Sequence, residues 1–175
     1  MTERITNPWS DGEALYSQDL NDTFGYIENK ITKIIDFDST TSYDFSISPP
    51  YDSSKTATKN KTILVSPTDY DYFVVEIIGQ FNAYAYLSYA NAYIDVKINV
   101  DDVEKKSFRI VHVYPHDGAE YDNVTYFKYI YGLSESEKAN GFKIDIIWDA
   151  YTYRSSSGDA TASFTNSSIT TYLMK

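Results

Sequence analysis

Residues Tyr93 to Val100 alternate strictly: Ile94, Val96, Ile98 and Val100 are apolar, while Asp95, Lys97 and Asn99 between them are charged or polar. A period of two places one set on each side of a pleated strand, so this segment can only be a half-buried β-strand with a core face and a wet face. Similar segments follow one another from Lys61 to the end of the chain, with breaks that carry turn chemistry: Ser66-Pro67-Thr68-Asp69, Asp101-Asp102, Pro115-His116-Asp117-Gly118, Asn140-Gly141 and Ser155 to Asp159. The pattern predicts strands at roughly 61–66, 71–79, 81–90, 92–100, 106–114, 124–131, 141–151, 160–164 and 168–174. An earlier strand falls at 43–47, and Tyr51 to Asn60 reads as a polar loop carrying Lys55 and Lys59. Many short strands without intervening helices predict an antiparallel β-sandwich, jelly-roll-like in type, over residues 37–175. Phe73 to Ile78 and Ile144 to Trp148 are apolar on both sides of the pleat, which places them centrally in a sheet or under a second subunit.

Ahead of this lies the one stretch with a helical period. Leu20, Phe24, Ile27, Ile31 and Ile34 are spaced four, three, four and three apart, the narrow a/d stripe of a coiled coil. Ser17 is its N-cap candidate and the helix is expected to run from about Gln18 to Ile35. An Ile-rich seam favours three strands over two. The domain expectation is a leader over 1–16, a trimerising helix over 17–36, and the sandwich. Gly25 weakens the helix by up to about 1 kcal/mol against alanine, so it needs partners. The alternative is a single amphipathic helix lying across its own β-domain.

Composition excludes several classes of chemistry. There is no cysteine, which removes disulfides, thiolate metal sites and thiol catalysis. Twenty-five acidic residues against fifteen basic ones give a formal charge of −10, a sign that repels nucleic acid. No run approaches the roughly 20 apolar residues of a spanning helix, and the start lacks a signal-peptide core, so neither membrane insertion nor a signal-peptide route is expected. Only two histidines occur, His112 and His116, and their spacing does not force convergence, so no metal and no cofactor are expected. The nucleophile, base and stabiliser of an active site cannot be assembled from what remains, and the chain is expected not to be an enzyme. Tyrosine is the unusual residue, at 18 copies. In Phe81 to Tyr93 aromatic and small residues alternate, so Tyr84, Tyr86 and Tyr89 are candidates for a row that either packs against a neighbour or stacks on a sugar ring.

The segment Asn7-Pro8-Trp9-Ser10-Asp11-Gly12-Glu13, followed by Leu15, Asp19-Leu20-Asn21-Asp22 and Phe24, resembles the N-terminal segments of bacteriophage and related viral fibre, spike and decoration proteins. That resemblance implies a homotrimeric virion component, made in the host cytoplasm and exposed on the virion surface. Trp9, Asp11 and Gly12 would dock on other virion proteins, and the head would face outward, where a host-surface glycan is a possible partner. Heads differ widely in such proteins, so no ligand carries over.

Overall fold

The computed structural model describes residues 32–39, 41–87, 89–115, 118–155 and 158–175. The leader residues Trp9, Asp11 and Gly12 and the seam residues Leu20, Phe24, Ile27 and Ile31 lie outside them, as does His116.

Nine strands and one short helix make up the described chain: β1 (Thr32–Asp38), β2 (Phe45–Ile47), β3 (Ser53–Val65), β4 (Tyr72–Tyr86), β5 (Asn91–Val100), β6 (Val103–Val113), β7 (Ala119–Gly132), α1 (Glu135–Asn140), β8 (Phe142–Arg154) and β9 (Asp159–Met174). They form a five-stranded sheet ordered β1-β9-β4-β7, in which β2 also pairs with β9, and a four-stranded sheet ordered β3-β8-β5-β6. All pairings are antiparallel. β1 and β2 lie on the same edge of β9, opposite Ile169–Met174 and Ala162–Phe164 respectively, with a 3-10 turn at Thr41–Tyr43 between them. They act as one interrupted edge strand. Only β5 and β6 are consecutive neighbours in one sheet, joined at Asp101-Asp102, both with positive φ, the backbone that a tight twisted hairpin requires.

Several sequence expectations are corrected. The helix was expected to reach Ile35, but Thr32–Asp38 is a strand, so Ile34 is not a helical seam position. The reason is pairing: β1 gains a ladder with β9, and Ile35 packs against the core. The loop expected at Tyr51 to Asn60 is the first half of β3, registered residue by residue against β8 from Ser53↔Arg154 onward. Its polar residues are at the sheet edge, where one face is wet and no apolar period is needed. At Gly79, where the sequence suggests a bulge or bend, there is a bulge, and the break expected between the strands at 160–164 and 168–174 is the other side of it, inside single long strands: β4 and β9 shift register between Ile78 and Gln80. Asn166 takes a φ of 55°, and Asp44 fastens the bulge by accepting from the Asn166 and Ser167 N–H groups and the Ser167 hydroxyl at 3.0, 3.3 and 2.9 Å. A Cβ on Gly79 would come within 2.6 Å of the Phe164 ring. The helix α1 was not expected. Its signal was legible as Ser134-Glu135-Ser136-Glu137, a capping box in which the Ser134 side chain accepts from the Glu137 N–H and the Glu137 carboxylate accepts from the Ser134 N–H.

The core is the space between the sheets. Phe73, Ile77, Phe81 and Phe164 from one sheet meet Ile94, Ile98, Phe142, Ile146 and Trp148 from the other, all but Phe142 fully buried. At its centre Phe164 stacks on Phe81 at 4.2 Å and on Trp148 at 6.1 Å, and Tyr43 covers the far side of Trp148 at 5.3 Å.

The two open edges are closed by charge. On one, the Lys61 ammonium of β3 reaches Asp36 and Asp38 of β1 at 2.8 and 3.2 Å, one ionic link between the sheets. On the other, Asp122 and Glu120 of β7 accept from the His112 and Tyr114 N–H groups at 2.8 and 3.3 Å, satisfying donors at the edge of β6.

Candidate functional site: the outer face of the five-stranded sheet

The outer faces of the two sheets differ in kind. That of the four-stranded sheet is a ladder of paired charges. Lys97 meets Asp149 at 2.6 Å, Arg109 holds Asp95 through two bonds of 2.9 and 3.1 Å, and Lys143 lies between Asp102 and Asp145. The hydrogen bond and charge of Lys97 hold Asp149 below the usual carboxylate range despite burial that pushes it up. Even its tyrosines are engaged, since Tyr93 stacks on Tyr151 at 5.1 Å and takes the Arg109 guanidinium over its ring at 3.9 Å.

The outer face of the five-stranded sheet is largely uncharged and divides into two halves. Directly opposed residues in an antiparallel ladder point to the same side. In the half nearer β1, one row across the sheet is Ile34, Tyr172, Val74 and Ile130, the next is Phe37, Thr170, Glu76 and Lys128, and the third is Ser168, Ile78 and Tyr126. Ile34, Phe37, Ile78 and Ile130 are exposed by 66%, 62%, 57% and 48%. One polar cluster sits among them. Lys128 pairs with Glu76 at 2.7 Å, and the Tyr126 and Tyr172 hydroxyls both donate to the same Glu76 oxygen at 3.2 Å. The Lys128 hydrogen bond holds the Glu76 carboxyl below its ordinary value against the pull of burial, and Glu76 in turn raises the Lys128 ammonium. The pair is mutually neutralised, so this half carries little net field.

In the other half the rows are Asp159–Tyr86–Ala119, Thr161–Tyr84–Tyr121 and Ser163–Asn82–Asn123. Tyr84 and Tyr121 lie 4.6 Å apart with rings tilted by 34°. Burial first, then the neighbouring Tyr121 and Asp159, hold the Tyr84 phenol above the usual tyrosine value. The expected tyrosine row is therefore partly present: Tyr84 and Tyr86 share the face, but Tyr89 does not. β4 stops at Tyr86, and Leu87 and Tyr89, with φ of 66° and 70°, turn the chain toward β5. Tyr121 takes the third place. Sequence reasoning missed it because its partner is set by the β4–β7 register, and nothing local in Glu120-Tyr121-Asp122 indicates that register.

His112 is held in β6 with its ring edge-on to Tyr93 at 6.1 Å. Among the described residues no three or more His, Asp or Glu side chains are grouped to hold a metal ion, and no helix is long and apolar enough to cross a membrane.

No family model matches the sequence, and no curated protein matches it. Among solved structures, the chain is similar to one from the infectious bursal disease virus Gx strain, with a TM-score of 0.35 and 8% identity over 75% of this chain and 32% of that one. It is also similar to one from the T13 viral particle of the same virus, with a TM-score of 0.26 and 10% identity over 82% of this chain and 39% of that one. This chain spans about a third of the length of the chains it matches. At these TM-scores the likeness assigns neither fold family nor function.

Proposed function

We propose that the chain is a non-enzymatic structural component of a virus particle, a fibre, spike or decoration protein that displays its β-sandwich as a homotrimer. The observation that carries this reading is the strand order. With β1 and β2 counted as one interrupted strand, the eight strands in chain order lie 1-8-3-6 in one sheet and 2-7-4-5 in the other. That is the jelly-roll arrangement, which viral capsid, lectin and cupin domains use. A cupin-like metal chemistry has no ligand cluster to rest on among the described residues. The resemblance of residues 7–24 to virion-attachment segments favours the virion over the other two. In this reading Trp9, Asp11 and Gly12 dock the leader on the particle, and Leu20, Phe24, Ile27 and Ile31 clasp the copies together. Three heads on one clasp gain avidity on a repetitive surface even when each site is weak.

The test is solution mass. Wild-type protein is expected to scatter light as a trimer, and Ile27→Asp combined with Ile31→Asp as a monomer. A wild-type monomer, or a double variant that stays trimeric, removes the clasp from the account.

A second reading has its own observation. Tyr84, Tyr86 and Tyr121 lie on one face of the sheet beside Asn82, Asn123 and Thr161, a combination of ring faces with amide and hydroxyl groups suited to a sugar. A glycan array is expected to give hits that Tyr84→Ala and Tyr121→Ala each weaken about tenfold, or about 1.4 kcal/mol. An array on which the wild type binds nothing eliminates the glycan.

A further inference from the structure

We propose that the apolar half of the five-stranded sheet, Ile34, Phe37, Ile78, Tyr126 and Ile130, faces the three-fold axis and meets the same half of the other two copies. This rests on the homotrimer reading and adds a head-to-head interface to it. Three observations place a second copy there.

The first is charge. A chain of formal charge −10 repels its own copies over most of its surface. This half presents one ionic pair, Glu76 with Lys128 at 2.7 Å, internally neutralised and also bonded to Tyr126 and Tyr172. Two copies can approach here without bringing unpaired like charge together. The desolvation cost of one such pair falls on this half, whereas the opposite outer face would bury three, Lys97–Asp149, Arg109–Asp95 and Lys143–Asp145, at a cost that their Coulomb attraction does not reliably recover.

The second is continuity. In the homotrimer reading the clasp residues Leu20, Phe24, Ile27 and Ile31 lead directly into β1, and Ile34 is on the outer side of β1, in line with Tyr172, Val74 and Ile130. A clasp on the axis would be followed, from Thr32, by an edge strand whose exposed residues Ile34 and Phe37 belong to this same face.

The third is exposure. The large apolar side chains here are not scattered singly. They sit on β1, β4 and β7 around Val74, which is fully buried although it lies on the outer side and outside the inter-sheet core, with Tyr172, Thr170 and Ser168 of β9 between β1 and β4 and the Glu76–Lys128 pair between Ile130 and the Ile78–Tyr126 row. Several large exposed apolar side chains on one face, set among polar groups, mark an interaction surface.

Ile78→Asp combined with Ile130→Asp changes exposed positions only, and Leu64→Asp, at a 79% exposed position on the opposite outer face, is the control. In sedimentation equilibrium of the full chain, the double variant is expected to weaken trimerisation at least about tenfold, or about 1.4 kcal/mol. Leu64→Asp is expected to leave it unchanged. A double variant as tightly trimeric as the wild type overturns the interface and leaves the clasp standing. A monomeric wild type overturns both. A monomeric wild type in which the double variant also makes residues 1–31 newly sensitive to protease assigns the face to this chain's own N-terminal segment instead.

Discussion

Trp148→Ala is expected to be the most destabilising single truncation in the sandwich, lowering the unfolding free energy by about 3–5 kcal/mol. The indole is fully buried on β8, stacked between Tyr43 and Phe164 at 5.3 and 6.1 Å, and Phe164 is itself stacked on Phe81. Removing it takes away the ring that spans the gap between sheets. The void cannot collapse, because each lining residue is held by its own ladder: Phe164 is registered against Phe45 and Phe81, and Trp148 against Lys59 and Val96. At about 2–4 °C per kcal/mol for a domain of this size, the melting temperature should fall by roughly 6–20 °C. Urea unfolding followed by circular dichroism reads the effect as a lower midpoint at an unchanged slope. A loss below about 1 kcal/mol would mean that the sheets are held together elsewhere.

Lys61→Met is the second large effect and acts by a different route. The Lys61 side chain is 7% exposed, with its ammonium between the Asp36 and Asp38 carboxylates and 5.3 Å from the centre of the Tyr43 ring. Methionine keeps the volume but leaves two carboxylates facing one another at a partly covered edge. Breaking a fully buried pair costs about 3–5 kcal/mol, and the partial exposure of both aspartates reduces that to about 2–3 kcal/mol. The pH dependence has a definite sign. Burial works to lower the Lys61 pKa, but the hydrogen bonds to Asp36 and Asp38 win and raise it above the ordinary lysine value. The folded state therefore holds this proton more tightly than the unfolded chain. The stability this adds is complete below the unfolded lysine pKa of about 10.4 and is lost as pH rises through the higher folded value. The difference in stability between wild type and Lys61→Met should be constant from pH 7 to 9 and shrink above about pH 10.5. A gap that widens with alkali would show that Lys61 is not held by these carboxylates.

The legible and illegible parts of the candidate site separate along one line. Tyr84 and Tyr86 could be placed on a common face because their spacing is the strand period itself. Tyr121 could not, since it reaches Tyr84 only through the pairing of β4 with β7, and that register is fixed by residues far along the chain. Lys61 with Asp36 and Asp38 is the same case: a lysine among polar residues and two unremarkable aspartates become one link because β1 and β3 belong to different sheets that meet at an edge. The overrun of the expected helix into Thr32–Ile35 has a related cause. A four-three spacing and an edge strand with two outward apolar residues can share the same letters, and the choice was made by β9, whose C-terminal half offers an unpaired edge.

From its residues alone the chain determined that it would be an antiparallel β-domain with buried, half-buried and turn positions in a given order. It also determined that cysteine and abundant basic charge would take no part. Those are properties of period, side-chain type and backbone preference within a few residues. Which strands became neighbours was decided only by tertiary structure, and with it which outer face is a ladder of paired charges and which is largely uncharged. Nearly every connection in this sandwich crosses from one sheet to the other, so every ladder except that of the β5–β6 hairpin joins segments distant in sequence. The energy that selects them comes from packing between the sheets.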